Sequence, residues 1–184
     1  MTWLITPEQT LSAARKAGMN EEALKPSGVA VLTFNKAVID RMEELCGLQS
    51  VTWIGPHHHP YAAPELVKRG SYQGLSVTVV VPPMGASPLA CVLEDLVTCG
   101  VKGVFLVCAA WSLEPPVQFG DLIVPAFSIG RDGTSIHYGN TSDHVQADAA
   151  VVDVLARACR KLGASTRTGG NASCEALYRI TPQM

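Results

Sequence analysis

A chain of 184 residues, 47% of them apolar and with a formal net charge of -2, has material for one packed domain and too little for two ordinary ones. The near balance of charge excludes the basic footprint of a nucleic-acid binder, and the apolar share excludes disorder. No apolar run reaches the roughly 18 residues that cross a bilayer, and Met1-Thr2-Trp3-Leu4 lacks a basic region followed by a signal core.

A single domain over 1–184 in the cytoplasm is therefore expected, with a small molecule or another copy of itself as partner, and neither nucleic acid nor membrane. Cys46, Cys91, Cys99, Cys108, Cys159 and Cys174 are scattered and never form Cys-x-x-Cys, so they read as buried free thiols acting as small hydrophobes.

Residues 1–27 form a helical lead-in, with Thr6 as cap and Pro7 at the first helical position. Val29 to Leu32 reads as a short buried strand. Lys36 to Cys46 reads as a helix carrying Val38, Met42 and Leu45 on one face and stopped by Gly47. Val51 to Ile54 reads as a second strand, and a polar loop follows around His57-His58-His59-Pro60. Leu75 to Val81 is an apolar strand leading into Pro82-Pro83-Met84-Gly85-Ala86-Ser87-Pro88. From Pro88 to Cys99 a helix turns Leu89, Val92, Leu93 and Leu96 inward and Glu94 and Asp95 outward. The run from Gly103 to Ala110 is apolar throughout, which predicts a parallel strand covered on both faces. Gly120 to Pro125 leads a further strand. Thr141-Ser142-Asp143 is expected to cap a helix with inner face Val145, Ala149, Val152, Leu155, Cys159 and Leu162, and Ala164 to Ser173 is a last strand. Ile180-Thr181-Pro182 carries the marks of a loop entering a helix, so a further C-terminal part is expected. Strand, loop, helix, strand in this order puts the post-strand loops around one crevice, where open α/β sheets bind small ligands.

Four pieces stand in order within residues 28–184: Gly85-Ala86-Ser87-Pro88 with Leu93-Glu94-Asp95-Leu96 and Gly100; Gly120-Asp121-Leu122-Ile123-Val124-Pro125; Asp132-Gly133-Thr134-Ser135-x-His137-Tyr138; and Ala172-Ser173-Cys174-Glu175-Ala176-Leu177-Tyr178. In residues and spacing they resemble the nucleoside phosphorylase family, which includes uridine phosphorylase, the hexameric-type purine nucleoside phosphorylases and related nucleosidases. The resemblance implies an α/β fold, a three-layer α/β/α domain with a mixed central sheet, lacking the family's last strand and helices. It implies cleavage of the N-glycosidic bond of a nucleoside by phosphate or by water, in catabolism or salvage. No cofactor is implied, phosphate being a possible co-substrate. A homo-oligomer, dimer or trimer of dimers, is implied as well.

Phosphorolysis needs a cradle that desolvates a dianion and aims it at the anomeric carbon. By the resemblance that cradle is a Gly-Asp-Pro turn with a following Arg after the first strand, an Arg in the central strand and a Ser or Thr at its end. The matching positions here read Phe34-Asn35-Lys36 with Val38, then Leu106, then Ala109, so the anion-binding side chains are replaced by apolar ones. Lys36 is left as the nearby cation and reads as a solvated residue at a helix start. Phe34, Leu106 and Ala109 are expected to converge on a crevice that holds no anion. Pro82-Pro83 stiffens the loop before Met84-Gly85 and removes amide donors. Trp111, after Ala109 and Ala110, stands where relatives keep a glycine; it reads as filling part of the pocket, with stacking on a base as the alternative. Base-reading positions fall on Leu177, Thr181 and Gln183. The implied substrate-binding set is Phe34, Met84, Gly85, Ala109, Ala110, Trp111, Leu177, Thr181 and Gln183. No catalytic residue is assigned, because the family's ribose-binding and proton-donating positions fall past Met184.

Consecutive histidines on an extended loop point in alternate directions, so His57-His58-His59 reads as a solvated loop and no metal is expected. His137 reads as structural. Ser87 and Ser112 lack the Gly-x-Ser-x-Gly turn of a hydrolase nucleophile, and no Gly-x-Gly-x-x-Gly dinucleotide motif is present. Two functions remain. The family resemblance favours nucleoside cleavage; the cradle substitutions favour a family member without catalysis that acts as a binding or assembly subunit.

Overall fold

The computed structural model describes residues 4–20, 22, 25–51, 53, 67–140, 142 and 144–181. The chain divides into two compact units, Met1–Ala109 and Ala110–Met184.

In the first unit the elements follow the local chemistry. Pro7 opens helix α1 (Pro7–Lys16), and Gln9 Oε1 accepts from the Thr6 amide at 3.0 Å. After strand β1 (Val29–Thr33), helix α2 (Lys36–Cys46) is capped by Asn35 Oδ1, which accepts from the Ala37 amide at 2.9 Å. Gly47 ends it with φ +60°, a left-handed turn that glycine enters without strain. Strands β2 (Gln49–Ser50), β3 (Val67–Tyr72) and β4 (Leu75–Val80) follow, then helix α3 (Ala86–Thr98) and strand β5 (Gly103–Val107). Gln73 and Gly74 both have positive φ, +48° and +82°, and make a two-residue turn between the paired Tyr72 and Leu75.

The sheet runs β2-β3-β4-β1-β5, with β3 antiparallel to its neighbours and β4, β1 and β5 parallel, a mixed sheet as expected. The connection through α2 leaves β1 toward β2, and the connection through α3 leaves β4 toward β5. Right-handed crossovers running in opposite directions place their helices on opposite faces. The packing agrees. Met42 and Cys46 of α2 meet Val31, Val77 and Val79, whereas Val92 and Leu96 of α3 join Leu11 and Ala14 of α1 over Ala30, Leu32 and Val80. Helix, sheet and helix make three layers.

The second unit is built on strand β6 (Leu122–Arg131), which pairs antiparallel with β7 (His144–Gln146) and parallel with β8 (Thr166–Cys174). Helix α4 (Ala149–Lys161) packs on β6 and β8. Short 3-10 turns span Ser135–Tyr138 and Leu177–Arg179.

Several expectations need correction. The second strand is Gln49–Ser50 and not Val51 to Ile54; Val51 adds one ladder bond to the Val67 carbonyl at 3.0 Å, and Thr52 and Ile54 lie outside the described residues. Strand β3 escaped the sequence because Lys68-Arg69-Gly70-Ser71 is polar; it is held to α2 by a Lys68–Glu43 ion pair. Gly70 lets the end of α2 approach, since a Cβ there would overlap the Cys46 carbonyl oxygen. Strand β5 is not covered on both faces: it ends its sheet, and Phe105, Leu106 and Val107 are exposed. Asp95 points inward, 5% exposed, because it stands three residues after Val92 on the same buried stripe. The later helix starts at Ala149, where Asp148 Oδ1 accepts from the amides of Ala150 and Val151. Val145 belongs instead to β7, and Leu162, 86% exposed, is the residue after the helix; Thr141 and Asp143 lie outside the described residues. Cys91 and Cys108 are exposed, while Cys46 is buried, and all six thiols are free.

Candidate functional site

Adjacent parallel strands whose chains leave toward opposite faces open a crevice at their carboxyl ends. Here those strands are β4 and β1. Leu32 pairs with Val80 and Thr33 with Val107, so the segments that follow β4, β1 and β5 emerge from one edge of the sheet. Phe34, 38% exposed, follows β1. Met84, 84% exposed, and Gly85 follow β4, and Ala109 follows β5 in an irregular exposed segment. Gly85 has φ +118° and ψ 152°, a region essentially closed to other residues, and it opens α3. Phe34, Met84, Gly85 and Ala109 of the expected set thus share one end of one sheet. Leu106 lies within β5, two residues before the irregular segment.

The start of α2 is self-contained. The Asn35 amide donates to Thr33 Oγ1 at 3.1 Å, the Ala37 amide to Asn35 Oδ1 at 2.9 Å, and the amides of Val38 and Ile39 to the Asn35 carbonyl at 3.1 Å each. Lys36 Nζ lies 2.6 and 2.7 Å from the two carboxylate oxygens of Asp40, one turn further along the helix. That contact raises the Lys36 pKa.

The rest of the expected set belongs to the second unit. Ala110 and Trp111 open it in an irregular segment that precedes the strand at Leu122, and Trp111 is 74% exposed. Leu177 is in the 3-10 turn Leu177–Arg179, Thr181 follows that turn, and Gln183 lies outside the described residues, as does His57-His58-His59. His137 is exposed, in the 3-10 turn after β6. Ser112 Oγ donates to the Glu114 carbonyl at 2.7 Å and accepts from the Glu114 amide at 3.1 Å, which closes a local turn. Among the described residues no three of His, Cys, Asp or Glu gather as a metal site, and no helix is long and apolar enough to cross a membrane.

Two motifs read from the sequence turn out to fasten opposite ends of the β6–β8 ladder. At the start, Asp121 Oδ1 accepts from Ser165 Oγ, and Oδ2 accepts from Arg167 Nε at 2.7 Å and the Gln118 amide at 3.0 Å. At the far end, Asp132 Oδ1 accepts from the amides of Thr134 and Ser135 and Oδ2 from Ser135 Oγ, each at 2.8 Å, while Glu175 Oε1 accepts from the Gly133 amide at 3.2 Å. Ser165 and Arg167 carry no local signal for this role, because they meet Asp121 only once β6 and β8 pair. The Ser165 hydroxyl, with the Gln118 amide and the Arg167 guanidinium, lowers the Asp121 pKa from 3.8 to about 2. A carboxyl depressed by folding stabilises the fold above its unfolded value and loses that contribution as pH falls through its folded value. The window here is 3.8 down to about 2. We expect the gap in urea midpoint between the native chain and Asp121→Asn to narrow through that window; a gap constant with pH would show that the carboxylate charge contributes nothing.

With this geometry in view, comparison with known proteins is informative. A sequence model of the phosphorylase superfamily matches residues 30–184. The chain is similar to uridine phosphorylases: 25% identical over 156 residues to that of Thermococcus kodakarensis, covering 85% of this chain and 55% of the relative. It is 24% identical over 139 residues to that of Escherichia coli, with 76% and 53% covered, and 26% identical over 110 residues to that of Salmonella typhimurium, with 60% and 44% covered. It spans about half the length of these relatives. Among solved structures, purine nucleoside phosphorylase from Toxoplasma gondii, in complex with immucillin-H, superposes with a TM-score of 0.72 at 19% identity, covering 90% of this chain and 64% of the other.

Proposed function

The chain belongs to the phosphorylase superfamily, and on that premise we propose that it acts on nucleosides at the β4–β1 crevice, cleaving the N-glycosidic bond with phosphate or water as acceptor. The observation that supports this reading is that the segments carrying Phe34 and Met84-Gly85 leave the carboxyl ends of the neighbouring parallel strands β1 and β4, where the sheet's connections diverge. Phe34 and Met84 offer apolar contact to the flat face of a base. Cytoplasmic location, independence of any cofactor and homo-oligomeric assembly belong to the same proposal and rest on the family resemblance.

A second reading, a binding or assembly subunit without catalysis, is favoured by Leu106 and Ala109, which bring no polar side chain to positions where the family holds its anion. One experiment separates the two. Uridine, inosine, adenosine and methylthioadenosine are titrated calorimetrically into the native chain and then assayed for base release by chromatography. Binding with release supports cleavage, and binding without release supports the second reading. No binding removes the cleavage reading and leaves only the assembly role of the second. Phe34→Ala is expected to weaken binding about tenfold, on the order of 1.4 kcal/mol, the scale of one aromatic contact.

A further inference from the structure

We infer that the outer side of α4 is a docking surface for the same helix of a second copy of this chain, the two helices lying antiparallel about a twofold axis. The inference does not rest on the nucleoside reading, and it assigns a surface where the family resemblance names none. At 3.6 residues per turn the apolar residues from Val151 to Leu162 span roughly 200° of the helix, unbroken by a charged residue, where one packed face needs about 100°. Half of that arc is used. Ala156 is buried and Val152, Leu155 and Cys159 are half-buried, where α4 packs on β6 and β8. The other half is open: Val151, Val154 and Leu162 are 50%, 55% and 86% exposed, and Ala158 between the last two is exposed as well. Spacings of three and four residues keep these side chains in one row along the helix. Apolar side chains scattered singly need no partner, whereas a row on one face marks a contact surface.

Charge decides what fits the row. The first half of α4 carries Asp148 and Asp153, and the second half Arg157, Arg160 and Lys161. A second copy laid parallel sets acid against acid and base against base. Laid antiparallel, it sets the acidic half of each helix against the basic half of the other and opposes the two helix dipoles. In that arrangement Val151 of each copy faces Leu162 of the other, and Val154 faces Ala158. The row is complementary to itself, as an interface about a twofold axis requires. Asp153 meanwhile keeps Arg157 as its partner at 2.7 Å, on the polar side of the helix and clear of the row. Such a row buries far less than the roughly 800 Å² per partner of a standard interface. The dimer is therefore weak, with Kd on the order of 10 to 100 µM.

Sedimentation velocity on the full chain, from about 5 to about 500 µM, tests the inference. The native mass is expected to double across that range. Val154→Glu and Ala158→Lys, both at exposed positions, should each weaken association about tenfold or more by placing an unpaired charge in the row. An equimolar mixture of the two variants should restore it, because the carboxylate introduced at 154 then faces the ammonium introduced at 158. Leu75→Glu, exposed and away from α4, should associate as the native chain does, and circular dichroism checks that each variant is folded. A native chain that keeps monomer mass throughout overturns the inference. Association unchanged in Val154→Glu overturns it by placing assembly on another surface, and a mixture that fails to restore association rejects the antiparallel pairing. Unfolding of both variants would show that the row is packed within the chain, which overturns the inference too.

Discussion

Leu96→Ala is expected to cost about 2–5 kcal/mol of stability, the range for a leucine removed from a packed site that relaxes only in part. Leu96 is fully buried in α3 and packs in one cluster with Leu11 and Ala14 of α1 and Ala30 and Leu32 of β1. Its carbonyl also accepts from the Val101 amide at 3.0 Å, which sets the turn from α3 into β5. Truncation therefore empties the layer that seats α3 on the sheet. Urea unfolding followed by tryptophan fluorescence, to which Trp53 in the same cluster contributes, reads the loss. Leu75→Ala, at a position 68% exposed, should stay within about 0.5 kcal/mol of the native chain. Equal effects at the two sites would mean that α3 is not seated as described.

The elements that the sequence made legible are those with two independent local signals. Helix α2 has Asn35 at one end, Gly47 at the other and an apolar stripe between them, and its bounds are those read from the residues. Strands β1 and β4 are rich in β-branched and apolar residues and lie inside the sheet, where Ala30, Leu32, Val79 and Val80 are buried. The failures have a common cause, which is that local pattern does not report what lies across the chain. Strand β3 is polar because it pairs near an edge, and β5 is apolar although it ends its sheet. Asp95 looks like a surface residue by type and occupies a core position by period. At the later helix, Thr141-Ser142-Asp143 and Asp148 are equally good caps by type; the pairing of His144–Gln146 with β6 decides between them.

The crevice was legible for a different reason. Its position follows from the order of strands and helices, whereas the grouping of Phe34, Met84 and Gly85 there as a binding set is what the family resemblance implies. Asp121 and Asp132 could not be given their roles this way. Both lie in segments singled out by spacing, and both prove to satisfy backbone and side-chain donors at the ends of one ladder. A motif that looks chemical can be a fastening.

Gly85→Ala tests the crevice through its backbone. With φ +118° and ψ 152°, Gly85 sits in a conformation that any residue with a Cβ enters at a cost of about 1–3 kcal/mol. Space is not the obstacle, since the nearest atoms to an added Cβ, Pro88 Cδ and Cγ, are at 3.5 Å, ordinary contact. Strain alone must then move the turn that carries Met84. Gly100→Ala makes the matching control: Gly100 follows the other end of α3, has φ +98°, and has nothing within 4 Å of an added Cβ. Both substitutions are expected to lower the urea midpoint by comparable amounts. Only Gly85→Ala is expected to weaken nucleoside binding, by about tenfold or more, equivalent to 1.4 kcal/mol. Equal loss of binding in both would trace the effect to general loosening of α3, and full binding in Gly85→Ala would remove the Met84–Gly85 turn from the site.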